Sequence, residues 1–236
     1  MRFAILGLDH WYTAFGACEV LAASTENTLV AICTENDDHA AWAAEKYPDV
    51  PLLRNPRQVF IDTEIDCVLI CAPTALAEDY ALDVMESGKH VLGVKPTSNT
   101  LDGLRMVICT SEENDVFYGS FEGIQRFHPK TLALKNILAS GTIGRVLSVH
   151  QVGNGGLPAP WEGRASGEPS WWIDPEMIHT GAWMDHAIYA IDLLRFSLNA
   201  EVDAVAGHIG NRLHKDLPME DYGMALLRLK TPSGPV

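Results

Sequence analysis

The sequence predicts an α/β domain built on a parallel sheet, followed by an α+β domain with an open, largely antiparallel sheet. Three observations carry this expectation. As far as Gly119, short continuous apolar runs alternate with helical stretches of roughly 10–15 residues, the pattern of βαβ units. Beyond Gly119 the period of the apolar residues changes to two, first in residues 145–152 (RVLSVHQV), as in a sheet with one covered face. The last apolar run, residues 222–229, leads into Thr231-Pro-Ser-Gly-Pro-Val236 with no capping helix or partner strand after it, the ending expected of a sheet left unfinished by a shortened chain.

Residues 3–6 (FAIL) form an apolar run stopped by Gly7, as suits a strand buried on both faces, and residues 13–23 (TAFGACEVLAA) read as a helix. A strand, a turn with glycine and a helix at the head of such a domain is how a Rossmann-type dinucleotide-binding unit begins. The helix N-terminus there offers backbone N–H groups and a positive dipole end to a pyrophosphate. Of the three glycines of the full fingerprint only Gly7 is present; Asp9 and Tyr12 occupy the other two places. Residues 28–34 (TLVAICT) are the second strand, and 37–46 a surface helix stopped at Tyr47-Pro48. A short extended piece at 50–53 precedes a helical turn at 55–60. Residues 65–72 (IDCVLICA) are the clearest buried strand, ended by Pro73. A helix over 76–87 follows, with Gly88 where a left-handed residue closes a helix, then a strand over 90–94 leading to Lys95-Pro96. A helix at 100–113 and a strand at 116–119 complete the domain, placed at 1–119. The second domain, 120–236, is expected to hold a helix at 129–140, the alternating strand at 145–152 and a long Gly-, Pro- and Trp-rich loop at 153–181. A helix at 182–198 follows, with Ala187, Ile191, Leu194 and Leu198 along one stripe, and then strands at 202–209 and 222–229.

Composition narrows the function. A net charge of −14 over 236 residues argues against a nucleic-acid partner, whose phosphates need clustered Lys and Arg. No apolar run reaches membrane-spanning length, and the start lacks a basic region ahead of an apolar one. Cys33, Cys67 and Cys71, three of five cysteines, lie inside apolar runs and read as buried thiols in a reducing compartment, so the expected location is the cytoplasm. No two of the nine histidines have the i, i+4 spacing of a helical zinc site and no cysteine cluster exists, so no metal is expected.

Two internal motifs point to a specific chemistry: IDCVLICAPT at 65–74 followed by GKHVLGVKPTSNT at 88–100, and GAWMDHAIYAIDLLRF at 181–196. With these in this order and at these spacings, essentially the whole chain resembles the Gfo/Idh/MocA family, the relatives of glucose–fructose oxidoreductase and inositol dehydrogenase. The resemblance implies that Pro73 lies near a dinucleotide, that Lys95 reaches the reacting carbon, and that the helix at 182–198 stands where the family supplies an Asp and a His one turn apart. The chain departs from the family pattern at several positions. Val94-Lys95-Pro96 stands for the family's Glu-Lys-Pro, and Ala77 stands where a histidine is frequent. Thr34, with Glu35 beside it, takes the place of the acid that holds the adenosine ribose. Aligning Asp185 with the family aspartate puts Tyr189 at the catalytic histidine position, with Asp192 and Leu193-Leu194 matching the rest, and leaves His186 out of register.

The implied reaction is hydride transfer between NAD or NADP and a hydroxyl carbon of a sugar, cyclitol or related polyol. The cofactor would be held by Gly7, Leu8, Asp9, His10, Thr34, Glu35, Ala72, Pro73, Thr74, Lys95 and Pro96, over the carboxyl ends of the first sheet and between the domains. Glu35 favours NAD, since a carboxylate there would repel a 2′-phosphate. Such chemistry needs a group to take the hydroxyl proton and a cation or donor for the developing alkoxide. Asp185, Tyr189 and Asp192 fall at i, i+4 and i+7 on one helix face. Lys95 and Tyr189 are expected to act as a pair, the ammonium lowering a phenol pKa ordinarily about 10, with Tyr189 relaying the proton and Asp185 orienting pair or substrate. Trp171 and Trp172, with Trp161 and Arg164 in the same loop, either stack on the substrate or pin the loop to the body. The family implies a homo-oligomer formed through the outer face of the second sheet. The alternative is a family member, whole or truncated, that binds nucleotide or a sugar-like ligand without turnover.

Overall fold

The computed structural model describes residues 1–155 and 171–236. They form two compact units. The first is Met1–Phe121 with the described part of Pro158–Ile178; the second is the described part of Glu122–Leu157 with His179–Val236.

The first unit is a six-stranded parallel sheet with helices between the strands: β1 (Arg2–Leu6), α1 (Trp11–Ala23), β2 (Thr28–Cys33), α2 (Asp37–Lys46), β3 (Leu52–Leu53), α3 (Pro56–Ile61), β4 (Cys67–Ile70), α4 (Thr74–Glu86), β5 (His90–Gly93), α5 (Leu101–Glu113) and β6 (Tyr118–Ser120). The strand order is β3-β2-β1-β4-β5-β6, the doubly wound order with its reversal between β1 and β4. The continuous apolar runs follow from this placement, because alternate residues of the central strands feed opposite layers. Ala4, Leu6, Val68 and Ile70 pack with Val84, Met85 and Val107 on one face. Ile5 and Leu69 pack with Ala14, Cys18 and Ala43 on the other. Helix starts are closed by side chains that occupy otherwise unpaired N–H groups: Asn36 accepts from His39 N, Asn55 from Arg57 N and Thr100 from Gly103 N. The predicted strands and helices of this unit are all present.

The second unit contains all but the first residue of a 3-10 segment (Phe121–Phe127), α6 (Pro129–Ala139), α7 (Ala182–Leu198) and a three-stranded antiparallel sheet of β7 (Glu201–Gly210), β8 (Tyr222–Thr231) and β9 (Gly234–Pro235). Two expectations are corrected here. Residues 145–152 form no strand: nearly all are exposed, with Leu147 and Val152 open to solvent, and no segment among the described residues pairs with them. An alternating pattern yields a strand only when a partner supplies hydrogen bonds and a layer covers one face. The end of the chain, in turn, does supply a partner strand. A turn at Thr231–Gly234 folds β9 back on β8, and Leu229 and Val236 exchange backbone hydrogen bonds of 2.7 and 3.0 Å. Among the described residues no helix is long and apolar enough to cross a membrane.

Cys18, Cys33, Cys67 and Cys71 are buried free thiols, and Cys109 is exposed. Burial pushes the thiols of Cys18, Cys33 and Cys67 up to about 12. A thiol held neutral in the folded state adds stability that is fully present below its ordinary value of 9.0 and is lost as pH climbs towards 12. Urea midpoints should therefore fall above about pH 9, by up to about 1.4 kcal/mol per pH unit for each thiol. In the native state a thiol alkylating agent should modify Cys109 alone, read as one adduct by mass spectrometry.

Candidate functional site

In the first unit the carboxyl ends of β1, β2, β4 and β5 lie side by side, and the turns that leave them carry most of the predicted cofactor residues. Gly7 follows β1 with φ +79°, and a Cβ on it would stand 2.7 Å from both N and Cα of Ala72. Its N–H donates to Cys33 O at 2.8 Å, while Cys71 N donates to Leu6 O at 2.8 Å, so the turn is locked to the ends of β2 and β4. Glycine is required here both for the left-handed backbone and for the close approach of the β4 turn. Leu8 is fully buried beneath the turn, and His10 is 1% exposed. His10 N donates to Cys71 O at 2.9 Å and its Nδ1 lies 3.3 Å from the same oxygen, which makes Nδ1 the protonated nitrogen for that contact. His10 is the N-cap of α1 but makes no side-chain capping bond.

Trp171 and Trp172, the start of a 3-10 turn (Trp171–Ile173), join this turn. Trp171 Nε1 donates to Asp9 O at 3.2 Å, and its ring meets the His10 ring edge-on at 4.7 Å. Trp172 stacks on Trp171 at 4.4 Å and on Tyr12 at 6.0 Å. Of the two readings of these tryptophans, anchoring of the chain to the body is the one with contacts here. Trp161 and Arg164 lie outside the described residues.

At the β2 end Thr34 is buried, donates its N–H to Leu53 O and accepts from Asn36 N with its hydroxyl. Glu35 is exposed. Its carbonyl accepts from Arg54 at 2.8 Å and its carboxylate from the Tyr80 hydroxyl at 3.5 Å. Burial first, and the Glu35 charge second, push Tyr80 up to about 12. At the β4 end Pro73 is the N-cap of α4, and Thr74 opens the helix with a buried hydroxyl that meets no hydrogen-bond partner among the described residues. Past β5, Lys95 is 6% exposed and its bond to Pro96 is cis. The loop beyond is held by Thr97 to Tyr118 OH and by Ser98 to Glu78, each at 2.5 Å.

These residues fit a dinucleotide in three respects. The Gly7 turn leaves room only for backbone, the α1 start lacks a side-chain cap, and the orphaned Thr74 hydroxyl sits at a second helix N-terminus. Asp9 and Tyr12 bring bulk and charge where the fingerprint has glycine. Among the described residues no group of three or more His, Cys, Asp or Glu could hold a metal ion.

Asp185 and Tyr189 belong to the second unit, on α7. That helix starts where it does because Glu220 caps it from the chain before β8: its carboxylate accepts from Gly181 N at 2.7 Å and Met184 N at 3.2 Å. Asp185 is largely covered, with His186 Nδ1 3.3 Å from its carboxylate. The Tyr189 hydroxyl donates to Glu122 Oε1. One turn on, Arg126 grips Asp192 through both its Nε, at 2.9 Å, and a terminal nitrogen. Asp192 therefore serves a structural pair, while Glu122, Arg126 and Glu220 are site-shaping residues that the sequence reading missed. Nothing in spacing could have flagged Glu122: it lies 67 residues from Tyr189 in a segment without periodicity.

The family model described as "Oxidoreductase family, NAD-binding Rossmann fold" matches residues 1–120, and that described as "GFO/IDH/MocA C-terminal domain" matches residues 131–233. Inositol 2-dehydrogenase 2 of Saccharopolyspora erythraea is 27% identical over 209 residues, covering 88% of this chain and 55% of the relative. D-xylose 1-dehydrogenase [NADP(+)] of Haloarcula marismortui is 26% identical over 215 residues, covering 89% and 58%. The crystal structure of a putative myo-inositol dehydrogenase from Sinorhizobium meliloti shares the fold with a TM-score of 0.74 at 21% identity, covering 99% of this chain and 66% of that one. The chain thus spans little more than half the length of the curated relatives it matches.

Three substitutions test the geometry of the turns and of the helices they lead into. Gly7→Ala forces a side chain into a left-handed backbone and against Ala72, and should cost about 2–4 kcal/mol in urea unfolding. Gly16→Ala, mid-way along α1 with open space around it, should instead stabilise by up to about 1 kcal/mol. Thr74→Val replaces an unpaired buried hydroxyl with a methyl of similar size, and should raise the unfolding free energy of the ligand-free protein by about 1 kcal/mol.

Proposed function

Because the chain belongs to the Gfo/Idh/MocA oxidoreductase family, we propose that it transfers a hydride between a nicotinamide dinucleotide and a hydroxyl carbon of a sugar, cyclitol or related polyol. The observation that carries this reading is the buried Lys95 at the carboxyl end of β5, at the position of the family lysine. A nearly enclosed ammonium is retained where it has a partner or a task. The dinucleotide supplies the hydride acceptor. Gly7, Leu8, Asp9 and His10 form its phosphate turn; Thr34 and Glu35 take the adenosine ribose; Ala72, Pro73, Thr74, Lys95 and Pro96 take the nicotinamide end. Lys95 stabilises charge developing on the substrate oxygen, Tyr189 handles its proton and Asp185 orients the substrate. Glu35 favours NAD over NADP, because its carboxylate is fixed beside Tyr80 where a 2′-phosphate would be repelled.

Other features of the chain complete the reading. The outer face of β7 and β8 exposes Met224 and Leu226, which a second copy of the chain would cover. Free buried thiols suit a reducing compartment such as the cytoplasm. A second reading, binding without turnover, is favoured by Asp9, Tyr12 and Val94 in place of the family residues.

Titration with NADH and NADPH, followed through quenching of the Trp171–Trp172 pair, separates the outcomes. The expected result is saturable binding with NADH at least about tenfold tighter, equivalent to about 1.4 kcal/mol. Lys95→Ala should weaken NADH binding by up to about tenfold, through its contact with the nicotinamide end, yet lose at least about a hundredfold in the kcat of polyol oxidation. Binding of neither nucleotide removes the dehydrogenase reading, and binding with no turnover of any polyol leaves the binder.

A further inference from the structure

We propose that Glu122 is the proton store behind Tyr189, a positioning residue that makes the phenol a relay and not a terminal base. This rests on the hydride-transfer reading above. Tyr189 stands where the family has an imidazole, a group that accepts a proton directly near neutral pH. A phenol does not, since its ordinary pKa is about 10. In this chain the Tyr189 hydroxyl already donates its hydrogen to Glu122 Oε1. A carboxylate at hydrogen-bonding distance also disfavours a tyrosinate, by charge repulsion and by holding the neutral phenol. The phenol oxygen can therefore take a new proton only as it gives up the one it has.

The fold holds this pair in place. Arg126 lies four residues beyond Glu122 in the 3-10 segment, Asp192 lies three residues beyond Tyr189 on α7, and the two are joined by a forked ion pair. The Arg126 guanidinium also sits 5.4 Å over the Phe196 ring. Two contacts one turn apart thus fix the segment against the helix, and Glu122 cannot swing from Tyr189 without breaking register with the second.

The proton balance is explicit. In the oxidation direction the substrate O–H bond breaks, and its proton bonds to Tyr189 Oη as the original Oη–H proton passes to Glu122 Oε1. A bound nicotinamide would accept the electron pair of the C–H bond as hydride, leaving the substrate carbon a carbonyl. Glu122 ends as a neutral acid and returns its proton to solvent. In reduction it starts as the acid and the chain runs backwards.

Glu122→Gln keeps an amide oxygen to accept the phenol hydrogen bond, and nearly the same volume, but cannot store a proton. The ligand-free protein gives the first readout. The ultraviolet ionisation signal of Tyr189, isolated by subtracting Tyr189→Phe, should move to lower pH by about one unit in Glu122→Gln, the size of one near charge. The active protein gives the second. In polyol oxidation Glu122→Gln should show kcat down about a hundredfold or more with KM within about threefold, and Glu122→Asp should recover part of the loss. An unshifted Tyr189 signal, or a Glu122→Gln variant with parental kcat, overturns the relay and leaves the hydride-transfer reading standing. A parent protein that oxidises no polyol overturns that reading and the relay with it.

Discussion

The first unit depends on one close approach, that of the Gly7 turn to Ala72. Strands β1 and β4 are the two sides of the topological reversal, and Ala4–Leu6 of β1 and all of β4 are buried. Such strands must end together, and the chain leaving each must turn away without side-chain bulk in the gap. Gly7 satisfies this with a left-handed backbone and no Cβ, and its N–H ties the same corner to β2. The placement of Leu8, His10, Pro73 and Thr74 along the carboxyl edge of the sheet follows from that corner.

The remaining fingerprint positions show how a turn of this kind holds its shape without more glycine. Asp9 offers its carbonyl to Trp171, Tyr12 stacks on Trp172, and His10 closes on Cys71 O with backbone and ring alike. The rigidity that glycines would supply by allowing tight packing is supplied here by an aromatic cluster. In the second unit the same logic uses charge. Glu220 fixes the start of α7, and the Arg126–Asp192 pair fixes its middle, so Asp185 and Tyr189 are carried on a helix whose register is set from outside it.

The first sheet was legible because its physics is local. A continuous apolar run such as CVLI at β4 has few other homes, and Gly88, Asn36 and Thr100 mark helix ends by the chemistry of unpaired backbone groups. Residues 145–152 misled because alternation describes a face, and a face becomes a strand only when something covers and pairs it. The positions of the candidate site residues were legible in part for the same reason. Lys95, Gly7 and Pro73 are tied to strand ends, which sequence locates. Glu122 and Glu220 act across 67 and 39 residues on partners that only folding brings near, and no periodicity announces such contacts.

The central claim is that the carboxyl edge of the first sheet, with one fingerprint glycine, holds a nicotinamide dinucleotide. Backbone amide resonances followed during NADH addition test this most directly. The account predicts saturable shifts at Gly7, Asp9 to Tyr12, Thr34, Glu35 and Thr74, with Val20 and Ile61 on the outer helices unmoved. Shifts absent from Gly7 and Thr74, or centred away from the strand ends, would contradict it.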